Sequence, residues 1–405
     1  ITLEKEARFI WELNRQQHLL SLGKAYVLTK DIKYSLETKQ QILSWIEANP
    51  PCQGINWASS IELSLRLVSW CWAYKFIETS GVFSEGEKKE FLKSVYLQAD
   101  FIINNLSRYS SANNHLIGEA SGLIITALTF PEFKSSDKWL NKGREILFQE
   151  MLKQVSSDGV GREQAFHYQA FIMELFILAG ALLIKNDIEI PINALDRFFR
   201  MSEFIMNLMN KNGKIAEFGD SDNGKAIRLS SDSGFNLCAF LLTSASILSG
   251  RGDFKAKGNG FEEGHYWIFG MEGFEKYNSI KSVNPGLSSR LFKEGGYCVL
   301  RNSSNNCKEE ILMMDCGELG YPFMAPHGHA DLLSITLSAD GIDLLIDPGT
   351  YLYHTGGEWR DYFRSTRAHN TITINDQNQS EIKGPFMWGK RPVARVDEWE
   401  VSDRK

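Results

Sequence analysis

The chain has 405 residues, of which 43% are hydrophobic and 23% charged, and its formal net charge is −6. These totals fit a globular protein with a substantial core and room for roughly two or three domains. They give no general basic field for nucleic acid, and no apolar run reaches the roughly 18 residues that a membrane span needs.

The chain begins at Ile1 with no visible signal peptide, as a processed chain or an excised piece would, and its last residues, VDEWEVSDRK, read as a strand followed by a polar stop, as expected of a sequence cut inside a β-domain. Up to about residue 250 the pattern is helical. Apolar residues recur at helical spacing over 9–22, 38–48 and 59–79, where Ile61, Leu65, Val68 and Trp72 form one stripe. Ser84 followed by Glu87 is a capping-box signature for a helix to about residue 103. Further helices are expected over 114–128, 136–155, 163–185, 193–209 and 232–249, punctuated by Pro131, Gly159 and Pro191. Serial helices with short loops imply a helical toroid or an α-solenoid.

Residues 251–287, rich in Gly, Lys and aromatics, read as a linker or seam. From residue 288 the period turns to two, in GGYCVLRN, EEILMMDCG, DLLSITLSAD, IDLLIDPG and NTITIND. That is the signature of an antiparallel sheet domain, a β-sandwich or similar. The expected organisation is a helical domain over 1–250, the seam, and a β-domain over 288–405, an α+β order rather than α/β alternation. The six cysteines lack C-x-x-C spacing and read as buried thiols, although Cys298, Cys307 and Cys316 lie close in sequence and leave a disulfide open.

Four segments carry side chains capable of chemistry. In SSANNHLIGEASG, Asn113 is the natural N-cap of a helix, with Asn114, His115 and Glu119 on its first turns. In DGVGREQAFHYQAF a Gly-rich turn leads into a helix bearing Glu163, His167 and Tyr168; a tyrosine packed in a helix interface is the plain alternative. KIAEFGDSDNGK offers Glu217, Asp220 and Asp222, either a solvated acidic loop or, with Glu163, the carboxylate pair of a glycoside hydrolase. Residues 326–380 hold four histidines. His327 and His329 would share one face if they lay on a strand, Asp347 precedes a Pro-Gly turn, and His369 precedes an apolar run. Two histidines with a carboxylate make a zinc set. His354 has no evident role.

Taken together, WELNRQQHL, GINWASSIELSLRLVSW, NNHLIGEASGL, DGVGREQAFHYQ, HGHADLLS, IDPGTYLY and FRSTRAHNT resemble the heparinase II/III-like polysaccharide lyases over most of the chain. The resemblance implies an incomplete (α/α) toroid followed by an antiparallel β-sandwich domain, with both ends shorter than the family's full architecture. It implies β-elimination at a 4-linked uronic acid of an acidic polysaccharide or oligosaccharide. A heparan sulfate-like glycan is favoured over alginate, chondroitin or hyaluronan. By the same resemblance Asn114 neutralises the uronate carboxylate, while Tyr168 and His327 divide the roles of base and acid. His329, Asp347 and His369 would hold a structural zinc. His115, Glu119, Arg66, Arg364, Arg367 and Lys225 are candidate substrate contacts, and Tyr351, Tyr353 and Tyr362 offer an alternative acid. A periplasmic or secreted bacterial location is implied too. The readings outside this family are a hydrolase on a similar toroid and a non-catalytic acidic-glycan-binding protein of polysaccharide assembly.

Overall fold

A computed structural model describes residues 7–230, 233–302, 309–321, 324–353 and 355–401. His354 and Cys307 lie outside the described residues. Contacts divide the chain into two compact units. The first comprises Ile1–Glu150, Glu174–Ile190 and Lys225–Ser231; the second comprises Met151–Met173, Pro191–Gly224 and Asp232–Lys405.

The helical expectation holds almost element by element. The order is α1 (Ala7–Asn14), α2 (Leu19–Thr29), α3 (Ile32–Ala48), α4 (Ser60–Ile77), α5 (Glu85–Asn104), α6 (Asn114–Thr129), α7 (Ser136–Gln154), α8 (Phe166–Lys185), α9 (Ile192–Leu208) and α10 (Leu237–Ser249). The differences have local causes. The stretch expected as one helix over 9–22 breaks between α1 and α2, where Gln16 takes a φ of 52°. An Asp31 cap on the backbone of Lys33 starts α3 earlier than its apolar stripe suggests. The Ser84–Glu87 capping box of α5 is present in both directions.

Within the first unit, α4 is the central helix. Every residue of it except Trp72 and Lys75 is buried, so it is enclosed all round rather than on one face, with Glu62 and Arg66 among its buried side chains. Leu63, Leu65 and Leu67 are fully enclosed, each worth about 1.5–3 kcal/mol in burial. The helix α6 packs directly on α4, and Gly122 permits the approach, since a Cβ there would lie 1.9 Å from Ser64 Oγ. By length and composition α8 could cross a membrane, but 83% of its apolar window is buried inside the protein, as in a core helix.

In the second unit, α9 and α10 pack together. The stretch read as a linker or seam carries two helices, α11 (Gly252–Lys257) and α12 (Glu263–Ser279). A five-stranded antiparallel meander follows: β1 (Arg290–Phe292), β2 (Tyr297–Asn302), β3 (Glu310–Asp315), β4 (Ile335–Ala339) and β5 (Ile342–Leu345). Its inner face meets the helices through Phe292 and Tyr297, whose rings lie 4.8 and 5.6 Å from that of Phe204 on α9. On β5, Ile342 and Leu344 are exposed.

Two sequence expectations fail here. NTITIND forms no ladder strand: it makes one isolated bridge, Ile374 to Gln377, and Ile372 and Ile374 are exposed. The histidines His327 and His329 are not on a strand either. Residues 325–330 form an irregular segment after Ala325, at φ 48°. That segment is fixed by Ala330 N–H donating to Arg364 O at 3.0 Å, and by Trp388 Nε1–H donating to Gly328 O at 3.1 Å. Gly328 is obligatory, because a Cβ there would lie 1.5 Å from Leu319 O. A small apolar cluster of Leu319, Ala325, Ala330 and Trp388 packs beneath.

Candidate functional site

The chemistry-bearing residues of the second unit converge on Asp220. It lies between Gly219, whose φ of 63° brings the chain against Gln164, and Ser221, whose N–H donates to Thr350 Oγ1. Its backbone N–H donates to His327 O at 2.8 Å. Its carboxylate is fully buried and receives a bidentate pair from Arg360, which projects inward from α13 (Gly357–Phe363). It also meets His327 Nδ1 at 3.2 Å through one oxygen, and His329 Nε2 at 3.0 Å and Thr350 Oγ1 at 3.1 Å through the other. Burial alone would raise this carboxyl. The bonds from His327 and His329 and the charge of Arg360 overcome that and hold it well below the usual carboxylate range. His327 and His329 do face the same way, therefore, but a shared carboxylate aligns them rather than a strand pleat.

His327 stacks on Tyr168, with ring centroids 3.7 Å apart and 19° between planes. Its Nε2 lies 3.6 Å from a carboxylate oxygen of Glu163. The Tyr168 hydroxyl bonds that of Tyr353 at 2.9 Å, and the Arg360 guanidinium lies 5.0 Å from the centre of the Tyr353 ring. Burial, then the neighbouring Tyr353 and the acids Asp222 and Asp220, push the Tyr168 phenol well above its ordinary value. The hydroxyl of Tyr168 is therefore held protonated, a donor and not a resting base. Its segment begins three residues later than the helical pattern implies: α8 starts at Phe166, after Gln164 takes a φ of 52°. Tyr351 and Tyr362 do not join this cluster. They are exposed beside Trp359 and Phe363.

Behind Asp220 lies the metal set that the sequence singles out. One ligand atom each of His329, Asp347 and His369 falls within 4.8 Å of the others, and all three residues are buried. His369 Nδ1 bonds Asp347 at 2.8 Å. His329 Nδ1 and His369 Nε2 are buried with no hydrogen-bond partner. Orphaned imidazole nitrogens beside a carboxylate fit a zinc ion, which takes nitrogen and oxygen donors, and Asp220 on the far nitrogen of His329 is the outer-shell partner such a ligand needs. Burial, with a smaller contribution from Asp347, pushes Asp315 up to about 7, and burial, then Asp315 and Asp347, push Asp331 well above the usual range. A nearby cation would favour the charged forms of these carboxyls.

In the first unit, Asn113 is the N-cap of α6, its side chain accepting from His115 N–H at 3.1 Å. Asn114 opens the helix and is buried, whereas His115 is partly exposed. Several expected substrate contacts have other work. Glu119 is fully buried and accepts from Ser107 N–H at 2.7 Å and Ser107 Oγ at 2.6 Å, so it ties down the loop before α6; burial raises its carboxyl to about 7. Arg66 is buried in α4, donating to Gln98 and to Asn56 O and lying 4.0 Å from the Trp45 ring centre. Burial lowers it to about 9. Arg364 is likewise enclosed, donating to the carbonyls of Gly384 and Pro385. These three are corrections to the sequence reading: an enclosed side chain cannot meet a polymer. Arg367 is exposed and paired with Asp376 at 3.0 Å, and Lys225 is partly buried.

The acids of the hydrolase reading have other partners. Asp220 is saturated by Arg360 and the histidines, while Glu217 is half-exposed and paired with His167 at 3.0 Å. The sequence reading missed Arg360 and the hub role of Asp220. Only their placement in space, 140 residues apart, reveals the pair.

Fold and site together define a class: serial helices followed by an antiparallel meander, carrying a stacked Tyr168–His327 pair beside a buried His-Asp-His set. The chain belongs to the heparinase II/III family, with residues 2–236 matching the heparinase II/III N-terminus and 284–404 the heparinase II/III-like C-terminal region. A heparin-sulfate lyase of Bacteroides thetaiotaomicron is 26% identical over 387 residues, 93% of this chain and 53% of that protein. One from Pedobacter heparinus is 23% identical over 411 residues, 98% of this chain and 55% of that protein. A crystal structure of heparinase III aligns with a TM-score of 0.73 at 24% identity, over 92% of this chain and 55% of that one. That likeness bears out the fold class, a helical toroid with a β-domain. The chain spans about half the length of the curated relatives it matches.

Proposed function

We propose that this chain carries the catalytic groups of a polysaccharide lyase that cleaves 4-linked uronate glycans, heparan sulfate-like ones in particular, by β-elimination. The observation that carries the reading is the Tyr168–His327 stack, with the Tyr168 phenol held protonated beside Tyr353. Elimination needs the uronate carboxylate neutralised, the C5 proton removed and the leaving O4 protonated. Asn114 donates its amide to the carboxylate. His327, its Nδ1–H directed to Asp220, presents the Nε2 lone pair and takes the C5 proton. Tyr168 gives its hydroxyl proton to O4, and Tyr353 is the neighbour through which it is replenished. The C4–O4 bond breaks as the C4–C5 double bond forms, leaving an unsaturated uronate end.

His329, Asp347 and His369 are the residues that would hold a zinc ion, and the ion would supply a fixed positive charge that organises the buried carboxylates. The zinc is architectural in this account, and no proton passes through it. A polymeric anionic substrate would be met in the periplasm or outside the cell, and that location is part of the proposal. The test is a panel of sulfated and unsulfated uronate glycans, followed by ultraviolet absorbance of the unsaturated product. A gain with heparan sulfate supports the reading; no gain with any uronate glycan contradicts it.

A further inference from the structure

The function above makes no use of a pair of cysteines. Cys298 lies on β2 and Cys316 directly follows β3. The ladder pairs Tyr297 with Asp315 and Cys298 with Met314, so Cys316 is the diagonal neighbour of Cys298 on the same face. Both are buried, and their sulfurs are 3.5 Å apart. A disulfide needs about 2.05 Å. Closing the remaining gap of about 1.5 Å is within the reach of small side-chain rotations on both residues.

The backbone around the pair is already held. Cys316 N–H donates to Gly296 O at 2.6 Å, and Gly296 sits so close to Gly317 that a Cβ on it would lie 2.0 Å from Gly317 Cα. The same corner braces the turn ahead of Tyr168. Gln164 Nε2 donates to Gly295 O at 3.0 Å, and Asp158 accepts from the N–H groups of Glu294 and Gly295 at 2.8 and 3.1 Å.

We propose that Cys298 and Cys316 form a disulfide when the chain folds under oxidising conditions, locking the corner that supports the Tyr168 segment. One thiolate attacks a low-molecular-weight disulfide such as oxidised glutathione and releases one thiol. The second thiolate then attacks the mixed disulfide and releases the other, so two protein thiols are oxidised as one disulfide is reduced. Burial raises both thiols, Cys316 to about 12, so exchange is slow once the sheet has packed and the bond forms during folding. The proposal stands on this geometry and is independent of the lyase reading.

The test is to refold the reduced, denatured chain in a glutathione redox buffer, block free thiols and map peptides without reduction. The expected product links the peptides of Cys298 and Cys316. Its unfolding midpoint should lie about 5–10 °C above that of the fully reduced protein. Cys307→Ala should keep both the link and the shift, and Cys298→Ala should lose both. Full alkylation of Cys298 and Cys316 after oxidative refolding would overturn the proposal, as would a link from either of them to Cys307.

Discussion

Replacing Asp220 by Asn keeps the size of the side chain and removes its charge. Arg360 is almost wholly buried, and Asp220 is its carboxylate partner. Breaking a buried pair by removing one partner costs about 3–5 kcal/mol, because the other charge stays enclosed without compensation. For a unit of this size each kcal/mol moves the unfolding midpoint by about 2–4 °C, so Asp220→Asn should lower it by roughly 10 °C. The substitution also loosens His327 and His329, which share that carboxylate. A misoriented base should cut kcat by about 100-fold or more. Pairing the change with Arg360→Met separates the two effects. The double variant removes both charges and should recover most of the stability, whereas its turnover should stay low. Thermal unfolding of the single and double variants, with turnover on a uronate glycan, is the assay. An Asp220→Asn protein within about 1 kcal/mol of wild type and equally active would refute the reasoning.

Other consequences are open to direct measurement. Tyr168→Phe and Asn114→Ala should each lose about 100-fold or more in turnover while folding normally, and near-wild-type rates in either would remove that residue from the mechanism. His329→Ala should lower both bound zinc, by elemental analysis, and thermal stability; a metal-free wild-type protein of full stability would contradict the assignment. Gly328→Ala should strongly destabilise the second unit, because the new methyl would overlap Leu319 O, and unchanged unfolding would show that segment to be free to shift. His265 is fully buried in its neutral form, Nδ1 accepting from Glu262 N–H and Nε2–H donating to Phe240 O, and burial lowers it to about 4. Its unfolded form binds a proton below about 6.5, so stability should fall as pH drops from 6.5 towards 4, by about 3 kcal/mol in total. A His265→Gln variant should flatten that slope, and an equally steep slope would locate the effect elsewhere.

Much of this protein was legible in its sequence because most of its elements follow local rules. Apolar spacing marked α4, α5, α6, α7 and α9 closely, and the Ser84–Glu87 box fixed one helix start. Period-two runs marked β2, β3 and β4. Local rules fail where tertiary contacts decide. Thr371–Ile374 alternates like a strand, yet backbone pairing with β4 stops at Asn370, whose carbonyl accepts from Ile335 N–H and whose side-chain amide donates to the carbonyls of Ile335 and Ile346. Arg66 and Arg364 look like surface cations in one dimension, and only burial shows that they are internal braces. For the site, sequence resemblance singled out Tyr168, His327 and the His329, Asp347, His369 set, which the fold brings together within the second unit. It could not find the Asp220–Arg360 hub, whose members are joined only by the folded chain. Nor could it say that Tyr168 is enclosed beside Tyr353, the fact that favours His327 as the base.

The central claim is elimination rather than hydrolysis. The most direct test is digestion of heparan sulfate in oxygen-18-labelled water, with product masses and ultraviolet absorbance read together. The account predicts unsaturated uronate ends that carry no label. Saturated products that have taken up the label, without a gain in absorbance, would contradict it.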